Sequence, residues 1–148
     1  LSDAYLMTFA FPDGPATGAF DLHFDLAGRA LTDPIWLGFA WNQANEEDHP
    51  EDNVFLSTDG GASWITSLYN FDFTTPAAPM WQRVLLDVSA ALADAGGAYT
   101  DDVVIRFQAA GSEGLGDDGL LVDDLFLGRP MTLFSLNLVG WAATVPTT

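Results

Sequence analysis

The run Asn53-Val54-Phe55-Leu56-Ser57-Thr58-Asp59-Gly60-Gly61-Ala62-Ser63-Trp64 constrains the fold more than any other part of this chain. An apolar strand runs into Thr-Asp-Gly-Gly and returns through Trp64, Ile65 and Leu68. Asp-Gly and Gly-Gly admit the positive φ angles that a tight hairpin demands, so the stretch reads as two antiparallel strands joined by a turn. The class that follows is antiparallel β.

The rest of the sequence agrees with that class. In residues 19–26, Phe20, Leu22, Phe24 and Leu26 alternate with Asp21, His23 and Asp25, the period of a half-buried strand. Further strands are predicted at 4–11, 35–41, 54–57, 64–70, 82–88, 103–109 and 120–127. Between them lie turn-forming stretches such as Pro12-Asp13-Gly14-Pro15 and Thr32-Asp33-Pro34, with longer breaks at 45–53, 74–79 and 111–119. A short helix is predicted at 89–95, stopped by Gly96-Gly97. Strands this numerous, separated by polar loops, predict two packed antiparallel sheets. Residues 1–130 form the predicted sandwich. Residues 131–148 are a C-terminal strand and tail, in which Phe134, Leu136 and Leu138 share one face and Ser135 and Asn137 the other. That segment packs on the sandwich, the reading preferred here, or on a neighbouring subunit.

Composition narrows the function classes. A chain of 148 residues is one domain, and 49% hydrophobic residues exclude a disordered one. No apolar run reaches the length of a membrane span. The start at Leu1, without a basic-plus-apolar leader, reads as a mature protein or an excised module. The absence of cysteine removes disulfides, a thiol nucleophile and thiolate metal sites. With 21 acidic residues against 4 basic ones the formal charge is −17, a field that repels nucleic acid and attracts divalent cations. A solvated surface suited to a saline habitat is the preferred account of that acidity.

Four stretches, read in order, resemble a family. They are the hairpin run already quoted, Trp81-Gln82-Arg83-Val84-Leu85-Leu86-Asp87-Val88-Ser89, Val103-Val104-Ile105-Arg106-Phe107, and Asp118-Gly119-Leu120-Leu121-Val122-Asp123-Asp124-Leu125-Phe126-Leu127. In this order and spacing they resemble the MAM-like and immune-inhibitor-A-like modules of bacterial secreted proteins. The resemblance covers residues 53–127 and is looser over 20–41, and the tail runs past the usual domain end. It implies a jelly-roll β-sandwich that is extracellular, secreted or at the cell surface, non-catalytic, often stabilised by calcium and used for attachment.

Three constellations bear on chemistry. Calcium takes oxygen ligands from carboxylates gathered on loops. The candidates are Glu46-Glu47-Asp48 with Glu51-Asp52, Asp117-Asp118 and Asp123-Asp124. Asp124 is expected to share a face with Val122 and Phe126, and Asp123 with Leu121, Leu125 and Leu127. Both would be partly buried in apolar surroundings and would need a partner, for which a cation is the first choice. Asp52 with Asp123 or Asp124 is the predicted calcium set, and backbone amides in loops are the alternative partners.

The second constellation is a glycan platform. Ile35, Leu37, Phe39 and Trp41 read as core, and Trp36 faces the other way between Gly38 and Ala40. Trp81 and Arg83 share a face, as do Arg106 and Gln108. If the outer faces belong to one sheet, Asp21, His23, Trp36, Trp81, Arg83 and Arg106 gather there, aromatic rings for sugar faces and polar groups for hydroxyls. The alternative is that the tryptophans cover the sheet and the arginines pair with surface acids. Third, catalysis finds no nucleophile elbow, zinc-protease helix or phosphate loop in the sequence. The expected function is therefore a non-catalytic extracellular adhesion module for a glycan or surface polymer, stabilised by calcium. Its rival is a structural subunit of a filament or surface layer, built by adding residues 5–11 or 131–139 to a neighbour's sheet.

Overall fold

The alternating segments form strands that pair into two layers. A computed structural model describes residues 7–8, 16–44, 48–73, 81–111 and 119–129. The strands are β1 (Met7–Thr8), β2 (Ala16–Phe24), β3 (Trp36–Ala44), β4 (Asn53–Ser57), β5 (Thr66–Asn70), β6 (Gln82–Asp87), β7 (Val103–Gly111) and β8 (Gly119–Gly128), with one helix, α1 (Val88–Asp94). Of the strand predicted at 4–11, Met7–Thr8 lies among the described residues; the one predicted at 131–139 lies outside them.

Each strand meets its mirror image in chain order. β1 pairs with β8, β2 with β7, β3 with β6 and β4 with β5, all antiparallel. That is the pattern of one long hairpin rolled up, and two further pairings, β3 with β8 and β4 with β7, complete the layers. Sheet I has the order β1-β8-β3-β6 and sheet II the order β2-β7-β4-β5. The chain is an all-β, antiparallel, two-sheet jelly-roll sandwich.

The inner faces supply the core. Leu37, Phe39 and Trp41 of β3 meet Val103, Ile105, Phe107 and Ala109 of β7 and Val54 and Leu56 of β4, all buried. Phe39 stands edge-on to Phe107 at 5.0 Å and to Tyr69 at 5.8 Å, the preferred T-shaped arrangement of aromatic quadrupoles. The Trp41 indole N–H donates to the Tyr69 hydroxyl at 3.2 Å, so its one polar group is not stranded in the apolar interior. The inward faces predicted for β2 and β3 agree with this core.

The turn after β4 is wider than the tight hairpin predicted. Residues 58–65 separate the strands, and the loop is tied internally by its own hydroxyls and carboxylate. The Ser57 hydroxyl accepts from the Gly61 amide at 2.9 Å and donates to Asp59 at 2.7 Å. Asp59 also accepts from the Ser63 amide at 2.8 Å and hydroxyl at 2.6 Å. Gly60 and Gly61 do have positive φ, +70° and +87°, and a side chain at Gly60 would collide with the Asp102 carboxylate. A side-chain network competing with the short turn accounts for the extra residues.

Two further features position the outer surface. Asp87 caps α1 by accepting from the Ala90 amide at 2.9 Å, and the buried Ser89 hydroxyl accepts from the Ile35 amide at 2.7 Å, pinning the helix to the start of β3. In β8 the register against β3 slips between Gly38, which faces Phe126, and Ala40, which faces Asp123. Asp124 and Leu125 thus oppose Phe39 alone. This is a β-bulge, with Asp124 at φ +51°, a region Asp tolerates better than most residues.

Candidate functional site on the outer face of sheet I

The bulge decides which β8 side chains face outward. Leu120 and Val122 point into the core before it, and Leu127 packs against the core after it, so the parity reverses. Phe126 therefore faces out. This corrects the expectation that Phe126 and Asp124 share a face with Val122.

Three rows then cross the outer face of sheet I from β8 through β3 to β6. The first is Gly128–Trp36–Asp87, the second Phe126–Gly38–Leu85, and the third Asp123–Ala40–Arg83. Gly38 leaves a notch: a Cβ there would stand 3.5 Å from Leu85 and 3.8 Å from the Phe126 ring. The Phe126 ring leans over Gly128, within 3.0 Å of where a Cβ would be. Arg83 reaches across β3 above Ala40 to the Asp124 carboxylate at 3.1 Å. Trp81, just before β6, continues the outward parity of Arg83 and Leu85. Leu85 is 58% exposed, Trp81 42%, Phe126 40% and Leu125 39%, an apolar surface edged by one ion pair. Trp36 is half-buried, and its indole N–H is enclosed without a hydrogen-bond acceptor among the described residues.

The outer face of sheet II has the opposite character. Asp21 of β2 takes both arms of Arg106 of β7, at 2.7 and 2.8 Å. The Arg106 guanidinium lies 4.4 Å over the Trp64 ring, and Phe55 lies 6.0 Å from the same indole. The guanidinium holds the Asp21 carboxyl below the usual carboxylate range. His23 meets Asp102 at 3.1 Å. Ser67 donates to the Asn53 side chain at 2.8 Å, the Asn53 amide group to the Pro50 carbonyl at 2.7 Å and Gln108 to the Glu51 carbonyl at 3.0 Å.

The six-residue platform is thus divided. Trp36, Trp81 and Arg83 share the outer face of sheet I, with Trp36 at one end of the β3–β6 pairing and Trp81 beyond the other, whereas Asp21, His23 and Arg106 stand on sheet II, facing away from them. The physical reason is the rolled hairpin, which sends β2 and β7 to one layer and β3 and β6 to the other. All 4 basic residues of the chain, Arg29, Arg83, Arg106 and Arg129, pair with an aspartate. Leu85 and Phe126 belong to the exposed face of sheet I and were not among the expected site residues. Leu85 was legible from its alternation with Trp81 and Arg83. Phe126 was hidden by the bulge, whose one signal is an Asp-Asp pair inside an apolar strand.

The proposed calcium ligands are also separated. Asp52 lies in sheet II, just before β4, and is fully buried. One of its oxygens accepts from the Ala110 amide at 2.7 Å and the other from the His49 amide at 2.7 Å, so it locks β7 to the loop before β4. Burial pushes its carboxyl up to about 6. Asp123 and Asp124 lie in sheet I; Asp123 accepts from the Asp124 amide at 2.7 Å and Asp124 pairs with Arg83. Asp124 is exposed, against the expectation of an inward carboxylate seeking a cation. The three residues do not form a common ligand set, and no group of three acidic, histidine or cysteine side chains suited to a metal occurs among the described residues. Glu46, Glu47, Asp117 and Asp118 lie outside the described residues.

No helix among the described residues is long and apolar enough to cross a membrane. Comparison with protein-family models, with curated proteins and with solved structures finds no match to this chain.

Proposed function

We propose that this chain is a non-catalytic extracellular recognition module that takes a glycan or similar surface polymer on the outer face of sheet I. One observation carries the reading: Phe126 and Leu85 are exposed on either side of the Gly38 notch, and Trp81 is exposed farther along the same face, beyond the Arg83–Asp124 pair. Aromatic and aliphatic surface stacks on the apolar faces of sugar rings, and a flanking ion pair supplies donors and acceptors for hydroxyls. The jelly-roll topology supports the attachment role, since it is what the resemblance to the MAM-like and immune-inhibitor-A-like modules implies. The formal charge of −17 favours neutral or cationic polymers over phosphate-rich ones.

The test is a glycan array probed with the chain and with Trp81→Ala and Phe126→Ala. Binding that weakens at least tenfold in either variant supports the reading; silence across neutral, acidic and basic glycans, or binding indifferent to both substitutions, removes it. A structural calcium is part of the proposal and rests on the acidic composition and the resemblance. Melting with and without a chelator checks it: a lower midpoint in the chelator supports the ion, and coincident curves reject it.

A second reading, assembly by strand addition, rests on β8. Its edge away from β3 is paired, among the described residues, only at Leu121 and Val122. Sedimentation of the full chain would show concentration-dependent polymers if this reading holds, and a monomer if it does not.

A further inference from the structure

Carboxylates stand on both sides of the exposed apolar row of sheet I. Asp87 shares the Trp36 row on one side of Phe126–Gly38–Leu85, and Asp123 shares the Ala40 row on the other. Four residues of β3 separate those two rows, a distance of about 14 Å. Each aspartate spends one oxygen on a backbone amide: Asp87 accepts from Ala90 at 2.9 Å, and Asp123 from Asp124 at 2.7 Å. Neither has a basic partner, because every arginine of the chain is committed to another aspartate. Arg83 is the one cation crossing this face, and Asp124 holds it. Beyond Gly128, at the strand end, Arg29 and Arg129 share Asp33. The face thus sets three aspartates against one arginine, around a Phe126 ring that is 40% exposed and a Leu85 that is 58% exposed.

We infer that the ligand of this face is cationic, a polymer of amino sugars that lays its rings on Phe126 and Leu85 and its ammonium groups against Asp87 and Asp123. The inference rests on the glycan reading of the same face and names that glycan's chemistry. An ammonium group donates to the carboxylate oxygen that each aspartate has left, and it is attracted to the face of the Phe126 ring. The formal charge of −17 draws such a polymer in and repels an acidic one. A cationic peptide would answer the charge but gains less here. The backbone of β3 is spent on β6 and β8, so this surface offers side chains without the main-chain partners that an extended peptide uses. A sugar ring needs only an apolar surface with acceptors at its rim.

The test titrates the full chain calorimetrically with a glucosamine oligomer and with its fully N-acetylated counterpart, which has the same rings without the charge. In dilute buffer the charged oligomer should bind about tenfold more tightly, and the advantage should shrink in physiological salt, where charges more than about 8 Å apart are screened. Asp87→Asn with Asp123→Asn should remove the preference. Asparagine keeps both amide acceptors, including the helix cap, so the double variant should fold. Asp94→Asn with Asp101→Asn, the same change of charge on α1 and before β7, should keep the preference; an equal loss there would mean that net charge alone selects the ligand.

That result overturns the inference. So do equal binding of the two oligomers, a preference that survives Asp87→Asn with Asp123→Asn, or oligolysine bound as tightly as oligoglucosamine. Tighter binding of a uronic-acid oligomer would place the ligand's charge at an arginine and overturn it as well. Equal binding of both oligomers that Phe126→Ala weakens would leave the glycan reading standing while this one fell. Silence toward every oligosaccharide would end both.

Discussion

The two outer faces of this sandwich, built on strands with the same in–out alternation, differ in how they treat their side chains. Across sheet II the row Asp21–Arg106–Phe55 is closed: the carboxylate holds the guanidinium, and the guanidinium lies on Trp64. Across sheet I the row Phe126–Gly38–Leu85 is open: two apolar side chains flank a glycine and look into water. The inner faces must both be apolar to make a core, but nothing in the fold obliges the outer faces to agree. A face whose polar groups have found partners in the same chain has little left to offer a ligand. A face with uncovered apolar surface keeps its driving force for association.

The family-like motifs fall largely on structural duties. Ser57, Asp59, Gly60, Gly61 and Ser63 organise the loop, Asp87 and Ser89 cap and dock the helix, Arg106 closes the sheet II face, and Asp124 makes the bulge.

This contrast can be broken by substitution. The largest loss should come from Asp52→Ala in the polar network of sheet II, which strands the Ala110 and His49 amides in a buried setting. A cost of about 3–4 kcal/mol is expected, read from the urea midpoint. Next comes the pH dependence of the same group. Its folded value is raised from 3.8 to about 6, so the folded state holds the proton more tightly than the unfolded one. Its contribution is therefore fully present below the ordinary carboxylate value and is lost as pH rises through about 6, on the order of 2–3 kcal/mol. Asp21 runs the other way: its lowered value adds stability above the ordinary range, lost on acidification. Asp52→Asn should abolish the stability change between about pH 4 and 6; a chain whose urea midpoints keep that slope would show that another group causes it.

Smaller effects sharpen the comparison. Arg106→Ala removes a bidentate pair and the cover over Trp64, worth about 1.5 kcal/mol by thermal or chemical melting. Leu85→Ser on sheet I should change stability by no more than about 0.5 kcal/mol, because the side chain is already largely in water. A loss at Leu85 as large as that at Arg106 would erase the distinction between the faces.

Much of the sandwich was legible along the chain because alternation is local. Phe20, Leu22 and Phe24, or Leu37, Phe39 and Trp41, declare their side of a strand with no knowledge of neighbours. The helix announced itself through Gly96-Gly97, and the structure adds Asp87 as its cap. The hairpin loop was harder, since the choice between a tight turn and a wider one lay in whether Ser57, Asp59 and Ser63 would bond one another. The candidate site was half legible. Trp36, Trp81 and Arg83 do share one sheet face, yet His23 and Arg106 were joined to them without any means of knowing which strands share a layer. Phe126 was assigned to the wrong side because one extra residue in β8 shifts every later side chain by one.

The amino-acid order alone determined the strand class, the residues that seek the interior and the strongly acidic net charge. These follow from properties each segment carries locally, namely the two-residue repeat, turn chemistry and charge. Tertiary structure alone decided that β3 and β6 lie in a different layer from β2 and β7, that Asp52 meets the distant Ala110 amide, and that Phe126 stands across Gly38 from Leu85. Those outcomes belong to pairings between residues far apart in the chain, where the rolled hairpin and a single bulge set the register.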